Sequence, residues 1–166
     1  MRNNFVIPKY NGAGIYCIIN IENCHVYVGQ SKNIHRRAYA HKNDFINNNH
    51  KISELTTAYN NNYLFFIILD KYNNTIDNEM LLFMEKVYML AFDDLGFDLY
   101  NDKCVNDDYY GRVGKPNYIQ VHVLSDILWM TGAIDKVKKA INNRFNMSPA
   151  NLLRTKYRLL YYVKTA

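Results

Sequence analysis

The chain has 166 residues, 20 Lys+Arg against 15 Asp+Glu, a formal net charge of +5, and 49% apolar residues. That is enough for one ordinary domain, or a small one with an appendage, around a real core. No apolar run approaches a membrane span, and Met1-Arg2-Asn3-Asn4 lacks a signal-peptide core, so no membrane partner and a cytoplasmic location are expected.

Three cysteines, Cys17, Cys24 and Cys104, are odd in number and lack Cys-x-x-Cys spacing, which argues against a disulfide framework or a structural zinc site. After Gly12 and Gly14, the run Ile15-Tyr16-Cys17-Ile18-Ile19 is β-branched, aromatic and short, and reads as a strand. Val26-Tyr27-Val28 reads as a second, with Ile21 to His25 turning between them into a hairpin. Side chains alternate across a strand. Ile15, Cys17, Ile19, Val26 and Val28 therefore share one face, and Tyr16 and Tyr27 lie on the other beside Gly14 and Gly29. A glycine next to each tyrosine leaves room for a large partner to approach the backbone. The plain alternative is a cross-strand aromatic pair in a chain with 15 tyrosines.

Asn33 can cap a helix from Ile34 to about Lys42. Arg37 and His41, four apart, share a face of it, whereas Arg36 points about 100° away. The plain alternative for Arg36, Arg37 and Lys42 is a solvated basic face. The asparagine runs 47–49 and 60–62 suggest flexible loops. Tyr63 to Leu69 is near-continuously apolar and reads as a central strand covered on both faces. From Asn78 to Phe92 good helix formers surround Glu85, with Leu81, Leu82, Tyr88 and Met89 three and four residues away. A carboxylate on an apolar stripe is costly unless something pairs with it. Glu79 sits in the first turn, where the helix dipole suffices to explain it. Leu99-Tyr100-Asn101 closes this module; Asn101 could equally be a turn former.

From Gly12 to Asn101 these residues resemble the GIY-YIG nuclease family. The two tripeptides Gly14-Ile15-Tyr16 and Tyr27-Val28-Gly29 carry the likeness, with Arg37 and His41 on the following helix, Glu85 on the next, and Asn101 at the end. The resemblance implies an α/β (α+β) fold, a small mixed sheet with flanking helices, in a stand-alone endonuclease of homing, restriction or phage type in a bacterial or phage-infected cell. It implies hydrolysis of DNA phosphodiesters to 5′-phosphate and 3′-hydroxyl ends, with Glu85 binding Mg²⁺ or Mn²⁺ and Arg37 stabilising phosphoryl charge. Magnesium often takes only one or two carboxylates plus water and substrate phosphate, which suits a lone glutamate.

The family's proposed base is a tyrosine. Tyr16 is the choice here, with Tyr27 positioning water. A phenol with a pKa of about 10 is a poor base at pH 7, unless Arg37 and the metal favour the phenolate or His41 takes its proton. Gly14, Gly29 and Asn101 support the site. One departure is Gln30, where some members carry a lysine; Lys32 lies two residues on. The reading from another class is a DNA-binding protein or regulator that keeps the scaffold without catalysis. One active site cuts one strand at a time, so duplex cleavage calls for a homodimer, a second visit or reorientation.

Residues 1–101 hold nine Lys/Arg and ten Asp/Glu, a net of −1, whereas 102–166 hold eleven and five, a net of +6. The expected division is a nuclease core at 1–101, a linker at 102–116 with Gly111, Gly114 and Pro116, and a basic helical region at 117–166. Three helices are expected there: about Val121 to Met130, about Ile134 to Phe145, and one capped by Ser148-Pro149 and running to about Val163. Ile134, Val137, Ile141 and Phe145 point inward on the second, and Lys136, Lys138 and Lys139 outward. Arg154 and Arg158 form a stripe on the third. This region either grips duplex phosphates, with Lys32, Arg36, Lys138, Lys139, Arg154 and Arg158 as candidate contacts, or packs on the core with its lysines solvated.

Overall fold

The computed structural model describes residues 3–101 and 128–154. Its centre is strand β1 (Ala13–Asn20), buried along its whole length. It pairs antiparallel with β2 (His25–Ser31) through the hairpin, Tyr16 opposite Gly29 and Ile18 opposite Tyr27. The turn closes with Cys24 at φ +57. On its other edge β1 pairs antiparallel with β3 (Leu64–Tyr72), with a register shift at Ile15/Tyr16. A two-residue strand β4 (Asp98–Leu99) adds parallel to β2, so the order is β3-β1-β2-β4 and the sheet is mixed.

Helices cover both faces. Helix α1 (Ile34–Ile46) starts at Asn33, whose side chain accepts from the Arg36 amide, and runs four residues beyond its expected end. Helix α2 (Ser53–Asn60), absent from the sequence reading, packs beside α1 and against β3. Together they bury Tyr16, Ile18, Ile34, Phe45, Leu55 and Phe66 as one apolar layer. Phe5 joins it, edge-on to Phe45, Tyr59 and Phe66. The asparagine runs are turn-forming helix ends: Asn47 and Asn61 are the C-caps of α1 and α2, and Asn48 and Asn62 follow with φ of +55 and +63. Asparagine reaches that left-handed region more readily than most residues.

The opposite face packs Ile15, Cys17, Ile19, Val26 and Val28 against helix α3 (Asn78–Asp94) and helix α4 (Ala133–Phe145). The expected alternation of the hairpin therefore holds. α3 has Asp77 as its cap, accepting from the Met80 amide, and Glu79 in its first turn. Leu128, Ala133, Val137, Ile141 and Leu152 belong to this same apolar layer. The described C-terminal helices thus pack on the sheet's α3 face. Asp70 of β3 fastens them: its Oδ2 accepts from Tyr72 Oη at 3.0 Å, Tyr88 Oη at 2.8 Å and Lys136 Nζ at 2.7 Å.

Two expectations are corrected. β3 is an edge strand, not a central one. Its apolar run reflects helices on both faces of the sheet, which bury an edge strand as thoroughly as a middle one. Leu82, placed on the stripe around Glu85, is 46% exposed, while Leu81, Tyr88 and Met89 are buried. The helix buries a narrower arc than its composition suggests.

Residues 128–131 and 149–154 are helical, and Gly132, at φ +63, separates the first from α4. The Ser148 hydroxyl accepts the Asn151 amide at 3.2 Å, the expected cap ahead of Pro149. The expected linker at 102–116, most of the helix from Val121, and Arg158 on the last helix lie outside the described residues. Among the described residues no helix is long and apolar enough to cross a membrane.

Candidate active site

Tyr16 is the fixed point of the site. Its ring is fully buried, stacked on Phe66 with centroids 4.7 Å apart, and its tip lies over Gly29 on the paired strand. The space beside Gly29 is therefore filled from within, by Tyr16 itself and not by an outside partner. A Cβ on Gly14 would meet the Asp70 carbonyl, where β1 and β3 approach at the register shift. The two tripeptide glycines thus serve strand packing. Gly29→Ala is expected to push the Tyr16 ring from its seat and destabilise the fold by about 1–3 kcal/mol, as overpacking does. Thermal melts with and without Tyr16→Phe would check this, and an unchanged Tm for Gly29→Ala would refute it.

The Tyr16 oxygen meets two side chains of α1. His41 Nε2 is 2.7 Å away, and Arg37 Nε donates to it at 3.1 Å. The four-residue spacing on one helix face brings both to the same oxygen. Tyr27, half-buried, stands 6.4 Å from Tyr16 between ring centroids and also hydrogen-bonds Arg37. Arg37 itself is exposed, and its guanidinium has five N–H donors in all, so donors remain for an oxyanion.

Electrostatics are set first by burial. Desolvation raises the Tyr16 phenol well above its ordinary value and Tyr27 adds to this, while Arg37 opposes it. His41, 3% exposed, is pushed down to about 3 by burial, with Arg37 and His50 adding to the shift, and is neutral near pH 7. His50 was not anticipated. It lies between α1 and α2, with Nε2 3.1 Å from His41 Nδ1. No spacing rule points to it, because α2, which fixes this connection, was itself unforeseen.

Glu85, half-buried on α3, is raised chiefly by burial, while the Gln30 backbone amide, Arg37 and Lys86 favour its charged form. The position that departs from the lysine pattern thus contributes its main chain to the carboxylate. Glu85 also acts electrostatically on Tyr16, so the five core residues share one region. Among the described residues no three His, Cys, Asp or Glu side chains cluster as a metal cage. The single carboxylate of Glu85 instead suits an ion that keeps most of its waters and takes phosphate oxygens, as Mg²⁺ or Mn²⁺ does.

Asn101 is buried and mimics a strand: Nδ2 donates to Val28 O at 2.8 Å and Oδ1 accepts the Val28 amide at 2.9 Å. It secures β2 next to Gly29 and touches none of the other site residues through these bonds. Lys32, Arg36, Lys138, Lys139 and Arg154 are all exposed. Arg36 lies off the Arg37–His41 face, as its helical position predicts.

A small mixed sheet with a paired tyrosine hairpin, an Arg/His helix and a lone glutamate defines a nuclease-type domain. Residues 12–89 match the model of the GIY-YIG catalytic domain, which supports membership of this part of the chain in the GIY-YIG nuclease family. No curated protein and no solved structure matches the chain.

Proposed function

We propose that the chain is a divalent-metal-dependent endonuclease that hydrolyses DNA phosphodiesters, leaving 5′-phosphate and 3′-hydroxyl ends. The observation that carries this reading is the convergence of Arg37 and His41 on the Tyr16 oxygen. The charged Arg37 N–H on the phenol oxygen favours the phenolate against the penalty of burial, and His41 is placed to take the phenol's own proton. Tyr16 then accepts a proton from the attacking water, which Tyr27 positions from its half-exposed place. Apo geometry does not disqualify an enclosed base, since catalytic hydrogen bonds tighten and rearrange when substrate binds. Arg37 meets the charge that builds on the non-bridging oxygens. Glu85 would hold the ion, which when bound supplies Lewis-acid polarisation of the phosphoryl group and neutralises the leaving 3′-oxygen. Nicking of supercoiled plasmid by the purified chain, with Mg²⁺, Mn²⁺ or EDTA, tests the activity; no nicking from the folded protein in any condition would overturn it.

We infer that the nearly neutral nuclease module gains duplex affinity from the basic C-terminal region. An open groove of about 660 Å³ lies there, with Lys138, Lys139 and Arg154 on its walls and Leu95 and Pro149 among its apolar residues. Because the described helices complete the sheet's apolar layer, truncation would uncover the core, and point substitution is the cleaner probe. Combined Lys138→Ala, Lys139→Ala and Arg154→Ala should weaken duplex binding and flatten its salt dependence. The slope of log affinity against log salt should become shallower by about 0.9 for each phosphate no longer neutralised. Unchanged salt dependence would mean that these side chains are merely solvated.

A further inference from the structure

The register shift beside Tyr16 is held from the far side of the sheet. Opposite residues of an antiparallel pair share a face. Tyr16 pairs with Ile68 but Ile15 pairs with Asp70, so Leu69 is the extra residue of a β-bulge on β3. Ile68 packs in the layer of Tyr16, whereas Ile67 and Leu69 pack in the layer of Ile15 and α3. Strict alternation would send Asp70 to the Tyr16 side. The bulge turns it to the α3 side instead. There its carboxylate, 15% exposed, receives Tyr72, Tyr88 and Lys136 at 3.0, 2.8 and 2.7 Å. Its main chain meets the hairpin as well, the Asp70 carbonyl lying against Gly14. Tyr88 is fully buried and sits three residues after Glu85 on α3, so this carboxylate also grips the helix that carries Glu85.

We propose that Asp70 is a positioning residue: its anchored carboxylate pins the bulge beside Tyr16 and, through Tyr88, fixes Glu85 relative to that tyrosine. Tyr16 lies in the layer of α1 and α2, and Glu85 on the helix of the opposite face, so their separation is set where β1, β3 and α3 meet. Without its anchor the bulge has nothing to oppose a one-residue slip, which would exchange the faces of its side chains. Lys136 makes the third bond, and it carries α4 with Lys138 and Lys139, not a residue of the catalytic centre. The consequence for turnover rests on the reading of Tyr16 as the base and Glu85 as the metal ligand, whereas the geometry at Tyr16 does not.

The Arg37 Nε–H, which donates to Tyr16, gives a nitrogen–proton NMR signal that needs neither metal nor DNA. Asp70→Ala should displace that signal although Asp70 faces the other side of the sheet. Asp70→Asn, which keeps an acceptor for the two phenols, should restore it. Leu152→Ala lies in the same apolar layer but beside Cys24, at the far end of the hairpin, and should lower Tm without moving the signal. An unmoved signal in folded Asp70→Ala, or an equal movement in Leu152→Ala, would overturn the proposal. Asp70→Ala should also cost about ten- to a hundredfold in kcat for nicking at unchanged KM, as a misplacement of about 1 Å does. If that variant does not fold, Tyr88→Phe decides, because it keeps the ring and removes only the link to α3. It should lower kcat about three- to tenfold, the equivalent of one hydrogen bond, and wild-type kcat would refute the role. Lys136→Met should hold kcat within about twofold. A loss equal to that of Tyr88→Phe would show that the docking of α4, and not the grip on α3, sets turnover. A wild type that cuts no DNA would sink the nuclease reading, and the Arg37 signal would still decide the anchor.

Discussion

Glu85→Gln is expected to lower metal-dependent nicking by about a thousandfold or more, while DNA binding measured in EDTA stays near wild type. One preorganised electrostatic contact at a developing charge is worth about a hundred- to a thousandfold. Loss of the carboxylate removes both such a contact and the anchor of the ion that polarises the phosphoryl group. The variant should fold, because the amide oxygen of glutamine can still accept from the Gln30 main chain, the backbone partner of Glu85. The charge vanishes and the shape remains. The plasmid assay with Mg²⁺, Mn²⁺ or EDTA, run beside a binding titration, checks both halves. Normal Mg²⁺-dependent nicking by the variant would show that Glu85 does not hold the metal.

Tyr16→Phe should cost about a hundred- to ten-thousandfold in turnover, the usual span for a positioned acid–base group. It also leaves His41 Nε2 and Arg37 Nε without the oxygen that each now meets. The buried His41 nitrogen left unpaired costs about 1–3 kcal/mol, so a lower Tm should accompany the lost activity. The ring keeps its stack on Phe66 and its seat over Gly29, which limits the damage to those two hydrogen bonds. Tyr27→Phe should be milder, because Tyr27 is half-exposed and its water can find other partners. Single-turnover cleavage of the two variants separates the roles. Near-normal turnover in Tyr16→Phe with severe loss in Tyr27→Phe would transfer the base to Tyr27.

Much of this site was legible because its signals are local. Glycine beside tyrosine on alternating strands, asparagine ahead of a helix, and a four-residue Arg–His spacing each follow from backbone geometry that a few neighbouring residues impose. The hairpin faces, the α1 cap and the span of α3 follow from such signals. Other features have no local signature. The segment Ser53–Asn60 has weak patterning and becomes a helix by burying Leu55 and Tyr59 against layers built by distant residues. His50 meets the ring of His41, nine positions earlier in the chain, only through the connection between α1 and α2. The Gln30 main chain serves Glu85 although 55 residues separate them in sequence.

By itself the sequence determined the family resemblance, the two tyrosines on one face of a hairpin, and the pairing of Arg37 with His41. These depend on side-chain periods of two and about 3.6, which any regular strand or helix enforces. Only the tertiary structure decided that β3 lies at the edge, that Tyr16 fills the space beside Gly29, and that Asp70 ties α4 to the sheet. Those outcomes depend on which elements meet across the core. A residue's period records that it is buried but not what buries it, and the partner emerges only when the chain closes on itself.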